Sequence, residues 1–560
     1  MGEKLNSMRV RQQNIEPRIF SNLRYYQRDA SLCAFNRLRK TIEPVLLTMP
    51  TGSGKSWILA NMAAIVRDIA NDPNSLREKK VLLLAPSKEL VTQNHDKMIS
   101  AGFEASIFSA ATGKKDDSQG VIFGTPKSVL NAIDRIGKAE FAAVFIDEAH
   151  EVSNMIFTII NKLREGNPNL RVMGVTATPY RLGEGYIFRQ NVYKQRDPMG
   201  YEHARDPYFA ELVYEISAHE LIENGYLCPP VIGHVEDHYR TEKLTRNQTG
   251  KWTAQSTDKV FGEDADGTTR QIIKDVKSKA KNAKGVMVFA QNIDHAQRIV
   301  SLLPKSQTGF IHAKSLQKER DAIVGSFLRR KLKYLVNVGT LTKGFDAEHV
   351  DMIAVLRATE SVSLLQQIIG RGLRLSPQTH KTHCMIYDYG QNLARFCPDG
   401  DVFAPRIEMP SKSETKDDLS GPEFVFPICP KCENMNQFRK AQGPSGTVMD
   451  DYGYLILGED GERVVSSKGE PISGHKGTQC VHYQASQDGT MKRCTHTWNA
   501  VECKHCQVLN SINDSACKNC GRMLDKDQGE SSALRAHAWT AREAIYSHRI
   551  ARVDAIQGKL

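Results

Sequence analysis

The stretch VLLTMPTGSGKSWILANMAAIV, residues 45–66, decides the fold. Its opening residues are apolar on both faces, which marks a strand buried in a parallel sheet rather than one with a solvated side. PTGSGKS (50–56) is a glycine turn, and WILANMAAIV (57–66) has the spacing of a helix that starts at that turn. Strand, turn and helix amino terminus together form a phosphate cradle. Thr51, Gly52, Ser53 and Gly54 bring backbone N–H groups close, Lys55 reaches the β and γ oxygens, and Ser56 can ligate Mg²⁺. The pattern departs from the strict phosphate-loop consensus because Met49 stands where the first glycine would be.

Outward from this turn the same rhythm recurs. VLLLAP (81–86), VIFGTP (121–126), FAAVFIDEAH (141–150) and RVMGVTATP (171–179) are apolar runs ending in polar or glycine-bearing motifs. It returns in GVMVFA (285–290), TGFIHA (308–313), YLVNVG (334–339), MIAVLR (352–357) and CMIYDYG (384–390). The expected class is therefore α/β, with two doubly wound parallel-sheet lobes whose ligands lie at the carboxyl ends of the strands. In FIDEAH, adjacent carboxylates follow a buried strand, an arrangement that needs a cation. Asp147 is expected to hold Mg²⁺, directly or through water, and Glu148 to orient and deprotonate an attacking water.

Residues 180–280 carry Gly, Pro, Tyr and charge without sustained periodicity and read as a connection plus an insertion, with one helix expected at 217–225. The expected organisation is an extension (1–22), a first lobe (23–225), a second lobe (226–395), a polar linker (396–425), a cysteine-rich region (426–525) and a terminal helix (526–560). A chain of 560 residues has the length of roughly three or four domains. No apolar run approaches the roughly 20 residues of a membrane span and the start lacks a signal-peptide core, so the expectation is a cytoplasmic protein, nucleoid-associated if bacterial, without a membrane partner. The net charge of +11 suits a phosphate-backbone partner. From Cys429 onward 17 Lys and Arg face 15 Asp and Glu, so the excess lies mainly on the lobes.

These motifs resemble those of superfamily 2 helicases with a DEAH box, and most closely the bacterial RadD (YejH) family of DNA-repair helicase-like ATPases. Loops of the PTGSGKT type in that superfamily often lack the first glycine, which accounts for Met49. The resemblance implies two RecA-like lobes sharing ATP and Mg²⁺. LRYYQ (23–27) is similar to the adenine-recognition element, with Gln27 as reader and Arg24 as helper. APSKELVTQN (85–94) and GTPKS (124–128) resemble strand-contacting motifs, in which Ser87, Lys88, Thr125 and Lys127 would meet phosphates. TATPYRLGEG (176–185) resembles the motif coupling ATP state to nucleic-acid grip, through Thr176 and Thr178 together with His150. VNVGTLTKGFDAEHVD (336–351) implies nucleotide contacts from Gly344 and Asp346, and TESVSLLQQIIGRGLRL (359–375) follows the family closely. Arg371 and Arg374 are three apart, so on a helix they face one way and can act as arginine fingers, with Gln367 one turn earlier. His312 and Lys314 stand where helicases often have a glycine-bearing turn.

Eight of twelve cysteines lie between Cys429 and Cys520, whereas Cys33, Cys228, Cys384 and Cys397 are scattered and read as core residues. Cys503, Cys506, Cys517 and Cys520 form two CxxC knuckles, a spacing that surrounds one tetrahedral Zn²⁺. Cys429 and Cys432 with the distant Cys480 and Cys494 form a looser second set, supported by a similar CPxC and distant pair in the RadD family; His475, His482, His496 and His505 are alternative ligands. Full thiolate coordination makes both sites structural. RadD-like chains continue well past the last CxxC, and only 40 residues follow Cys520, so no partner function of that segment is carried over.

The function expected from the sequence is an ATP-driven motor of DNA repair or recombination that moves along or remodels single-stranded, duplex or branched DNA. The expected state is monomeric, with repair or single-strand-binding proteins as candidate partners. The rivals are a DEAH-type RNA helicase and a non-catalytic zinc adaptor gated by ATP; the intact Glu148 and both arginines speak against the latter.

Overall fold

The computed structural model describes residues 20–71, 78–181, 185–193, 206–247, 251–262, 266–339, 345, 347–397, 400–405, 424–440, 447–457, 461–465, 471–475, 477, 479–486, 489–498, 500–503, 505, 509–511, 517 and 522–523. The ten apolar runs all form strands. In chain order the first sheet holds β1 (Val45–Thr48), β2 (Lys79–Leu84), β3 (Ser106–Ser109), β4 (Lys114–Lys115), β5 (Val121–Gly124), β6 (Glu140–Asp147) and β7 (Arg171–Thr176). After a short hairpin, β8 (Tyr180–Arg181) with β9 (Gly185–Tyr186), two more strands join that sheet, β10 (Phe188–Asn191) and β11 (Phe209–Glu215). The order is β10-β11-β1-β7-β6-β2-β5-β3-β4, parallel except for the β3–β4 edge. β1 therefore sits inside the sheet, and its four residues are all buried because helices cover both faces.

The second sheet holds β12 (Pro230–Ile232), β13 (Val286–Ala290), β14 (Thr308–His312), β15 (Tyr334–Val338), β16 (Met352–Leu356) and β17 (Cys384–Asp388), in the wholly parallel order β12-β17-β16-β13-β15-β14. Both lobes are thus RecA-like α/β layers. One apolar cluster runs from Tyr26 and Ile58 in the first lobe through Leu227 and Cys228 to Ile353 and Ile368 in the second.

The region read as a connection and insertion is more regular than expected. The helix expected at 217–225 is Ala218–Glu223, but β10 and β11 extend the first sheet, and helices Ala254–Phe261 and Asp266–Lys279 pack in the second lobe. Phe209–Glu215 is inconspicuous because partly exposed Ala210, Glu211 and Glu215 interrupt its buried residues. Beyond Asp401 the described residues form four separate two-stranded ribbons: β18 (Phe424–Val425) with β19 (Phe438–Arg439), β20 (Thr447–Met449) with β21 (Leu455–Leu457), β22 (Tyr483–Ala485) with β23 (Met491–Arg493), and β24 (Ala500–Glu502) with β25 (Leu509–Ser511). The expected terminal helix and most of the expected linker lie outside the described residues. Among the described residues no helix is long and apolar enough to cross a membrane.

Candidate active site

The turn after β1 takes the shape that its glycines permit. Gly52 and Gly54 have φ of +88° and +84°, a region costly for a side chain, and Gly54 caps the helix Lys55–Ala70. Met49 is fully buried, donates its N–H to the Thr176 carbonyl at 2.9 Å, and has its own carbonyl 3.5 Å from Lys55 Nζ. The departure from the consensus glycine is thus a continuation of the β1–β7 ladder into the loop.

Around the loop, Tyr26 Oη and Gln27 Nε2 both donate to the Ser53 carbonyl, at 2.9 and 2.8 Å. Gln27 Oε1 also accepts from the Arg24 N–H at 3.0 Å, closing the amino-terminal turn of helix Tyr25–Leu38. The expected adenine reader is therefore tied to the phosphate loop itself.

β6 ends on Asp147, buried beside Glu148, whose φ of +50° turns the chain sharply. Asn94 Nδ2 donates to Asp147 Oδ2 at 2.8 Å and the Glu148 N–H to Oδ1 at 2.9 Å. Burial and the neighbouring Glu148 carboxylate push the Asp147 carboxyl up to about 6, outweighing the opposing influence of Asn94 and Lys55. A buried carboxyl whose charge is disfavoured, with a second buried carboxylate beside it, fits a divalent cation, which would relieve that cost. Asn94 closes the run APSKELVTQN, yet its role is set by a contact from the helix Lys88–Ser100 to the end of β6 that no spacing reveals.

His150 Nδ1 lies 2.9 Å from Thr176 Oγ1 and 3.4 Å from Glu148 Oε2, so the coupling residues form a connected group. The Thr178 N–H donates to Thr176 Oγ1 at 3.1 Å. Arg181 adds a member the sequence did not indicate, donating to the carbonyls of His150 and Val152.

Arg371 and Arg374 are not on one helix. The helix Val362–Gly370 stops before them, with Arg371 as its carboxyl cap. Gly370 and Gly372 are pressed against Thr51 and Cys384, and the close turn they allow replaces the expected helical spacing. The turn still brings both guanidiniums together: Arg371 Nη1 and Arg374 Nη1 donate to the Phe345 carbonyl at 2.5 and 3.1 Å. A Cβ built on Gly52 would lie 3.6 Å from Arg374 Cγ, so the second-lobe arginine motif is seated against the first-lobe phosphate loop. Gln367 is buried in the preceding helix. Gly344 and Asp346 lie outside the described residues.

The expected strand contacts are partly occupied by the protein. Ser87 caps helix Lys88–Ser100, accepting from the Leu90 N–H. Lys88 donates to Gln317 of the second lobe, and Thr125 Oγ1 lies 2.9 Å from the Ser128 hydroxyl, to which it donates, and 3.3 Å from that of Ser109. Lys127 is exposed. His312 Nδ1 accepts from the Lys314 N–H at 3.2 Å.

In the cysteine-rich region the ligand atoms of Cys429, Cys432, Cys480 and Cys494 lie within 4.8 Å of one another. The Cys429–Cys494 and Cys432–Cys480 sulfurs are 3.7 and 3.5 Å apart. Four thiolates at about 2.3 Å from one Zn²⁺ stand about 3.8 Å from each other, so this set fits that ion. His475 instead packs between Phe438 and Trp498, and His482 Nε2 bonds the Met435 carbonyl. Of the other set, Cys503 and Cys517 are buried, while Cys506 and Cys520 lie outside the described residues. Cys228, Cys384 and Cys397 are in the core and Cys33 packs against it.

Two family models match this arrangement: type III restriction enzyme, res subunit, over residues 20–181, and helicase conserved C-terminal domain over 268–376. Both lobes are similar to the core of superfamily 2 helicases. IRC3 of Saccharomyces cerevisiae, named as a candidate ATP-dependent helicase, is 25% identical over 387 residues, covering 66% of this chain and 51% of its own. The EcoAI endonuclease subunit, a type I restriction enzyme component of Escherichia coli, is 24% identical over 450 residues, covering 72% and 50%. The chain thus spans about half the length of these curated relatives. A fragment of a candidate HsdR subunit from Vibrio vulnificus YJ016 aligns with TM-score 0.49 and 21% identity over 69% of this chain and 68% of that one.

Proposed function

We propose that this chain hydrolyses ATP with Mg²⁺ and converts lobe closure into movement along, or remodelling of, DNA. The observation that carries the reading is the seat of Gly370 and Arg374 on Thr51 and Gly52, since a site completed by two lobes can exchange nucleotide state for lobe position. Ser56 and Asp147 would hold Mg²⁺, which when bound screens the phosphate charge and polarises the transferred group. Glu148 would take the proton of the attacking water, His150 would relay its state to Thr176 and Thr178, and Arg371 and Arg374 would meet the charge developing on the γ oxygens.

DNA is favoured over RNA by the wording of the GFDAEHVD and GRGLR motifs and by the EcoAI relative, by name an endonuclease subunit of a restriction enzyme. Within the superfamily we place the chain nearest the RadD-type repair ATPases, on its motif wording and its CPxC with a distant cysteine pair. Zn²⁺ in the Cys429 set would hold the tail together structurally, and the Cys503 set would hold a second ion.

ATP turnover measured with single-stranded, duplex and forked DNA and with RNA tests the reading. DNA is expected to stimulate, and Lys55→Ala and Glu148→Gln each to lower turnover at least about 100-fold while leaving the melting temperature nearly unchanged. Unchanged hydrolysis by Lys55→Ala would overturn the assignment, and stimulation by RNA alone would replace DNA as the track.

A further inference from the structure

Between β11 and β12 the chain crosses from one sheet to the other, and three consecutive residues of this crossing each touch a different part of the nucleotide site. Helix Ala218–Glu223 ends at Gly225, whose φ is +70°, and the Leu221 carbonyl then accepts the N–H groups of Tyr226 and Leu227 at 2.8 and 3.2 Å. The Tyr226 ring lies under the Arg24 guanidinium, with Cζ 5.0 Å from the ring centroid. It meets the Tyr26 ring edge-on at 5.2 Å. Leu227 is buried, with Cδ2 3.0 Å from where a Cβ on Gly52 would be. Cys228 donates its N–H to the Leu373 carbonyl at 2.8 Å, with its sulfur 3.3 Å from the Gly372 carbonyl.

Arg24 is exposed, so the guanidinium face away from Tyr226 is open to solvent. Its Nη1 donates to Tyr26 Oη at 3.0 Å, and Tyr26 Oη donates to the Ser53 carbonyl of the phosphate loop. The guanidinium is thus held flat at a fixed offset from the phosphate cradle. Gln27, by contrast, has its amide nitrogen bonded to Ser53 and its amide oxygen to the Arg24 N–H. A planar cation of fixed orientation stacks on the π face of a heteroaromatic ring.

We propose that Tyr226, from the crossing between the lobes, is a positioning residue for the nucleobase: it backs the Arg24 guanidinium, whose free face stacks on the base of the bound nucleoside triphosphate. The inference rests on the ATPase reading and deepens it. The next two residues contact the phosphate loop and the arginine turn, so the residue that backs Arg24 belongs to the segment that joins the two lobes.

Displacement of a fluorescent ADP analogue from the full chain at fixed Mg²⁺ tests this without requiring turnover. ATP and inorganic triphosphate compete in parallel, on wild type, Tyr226→Ala, Tyr226→Leu and Tyr226→Phe. Tyr226→Ala and Tyr226→Leu are expected to weaken ATP about fivefold to tenfold and leave triphosphate within twofold, while Tyr226→Phe keeps wild-type values. The leucine variant keeps apolar bulk where alanine loosens the fold. An equal loss for ATP and triphosphate would make Tyr226 a packing support for the loop and overturn the proposal, as would unchanged ATP affinity. A wild type that binds ATP more tightly than triphosphate but never hydrolyses it would sink the motor reading and leave this inference standing.

Discussion

Gly370 shows how little room the composite site leaves. A Cβ there would lie 2.5 Å from Thr51 Cβ, a short branched side chain on the phosphate loop that has no flexible end to give way. Gly370→Ala is expected to hold the lobes apart, lowering kcat at least about tenfold while ATP affinity, set mainly on the first lobe, stays within about threefold. Steady-state turnover beside nucleotide displacement separates the two, and a variant with unchanged kcat would mean that hydrolysis does not pass through this contact. Lys55, Asp147 and Glu148 stand at positions that the sequence singles out, because each motif is written within a few neighbouring residues, whereas the sequence did not mark Gly370 itself. Asn94 against Asp147, Arg181 against His150 and Tyr226 against Arg24 were not legible, since each contact is made by the folding of distant segments.

At the scale of elements, the strands were readable where both faces are buried. The four residues of β1 and all five of β13 and β16 have no solvated side, so their apolar runs are unbroken. β12 has only three half-buried residues, and β11 mixes half-buried positions with core ones, so neither stands out from its surroundings. The ribbons past Asp401 pose the opposite problem. Each is a two-stranded pair, marginal on its own in water: Phe438 of β19 packs with Trp498, Cys429, Cys480 and Cys494, Leu455 of β21 packs with Val464, and Tyr483 and Met491 of β22 and β23 pack against the core of the lobes. Their order is expected to depend on the metal. Metal analysis should find Zn²⁺ on the Cys429 set, and a chelator or Cys480→Ser should raise amide hydrogen exchange of the β19, β22 and β23 ribbons while β1 and β13 stay protected. A ribbon region whose exchange ignores both treatments would argue against a structural metal.

Across the whole molecule, the cysteine-rich region is fastened to the first lobe by a half-buried charge cluster. Asp401 Oδ2 lies 2.9 Å from Arg493 Nη1 on β23 and 2.9 Å from His219 Nε2 in helix Ala218–Glu223, whose Nδ1 is bonded to the Tyr483 hydroxyl on β22. Burial alone would raise the Asp401 carboxyl, but the charges of His219 and Arg493 and their hydrogen bonds outweigh it and hold the group well below the usual range. A depressed carboxyl contributes stability that is fully present above its unfolded value of about 3.9 and is lost only as pH falls through the lower folded value. The fastening should therefore hold from pH 8 to about pH 5 as far as Asp401 is concerned. Removing Arg493 is a different matter, because it leaves a half-buried carboxylate with one cation fewer, a change that costs up to about 3 kcal/mol. The same helix supplies the Leu221 carbonyl that holds Tyr226 and Leu227, so a loosened fastening should be felt at the nucleotide site. Arg493→Ala is expected to speed amide exchange in residues 218–228 as well as in β22 and β23, and to weaken ATP binding about twofold to fivefold, with Arg493→Lys intermediate because a point charge restores only part of the guanidinium geometry. Faster exchange confined to β22 and β23, with the crossing and ATP affinity unchanged, would show that the tail is fastened to the motor without being coupled to it.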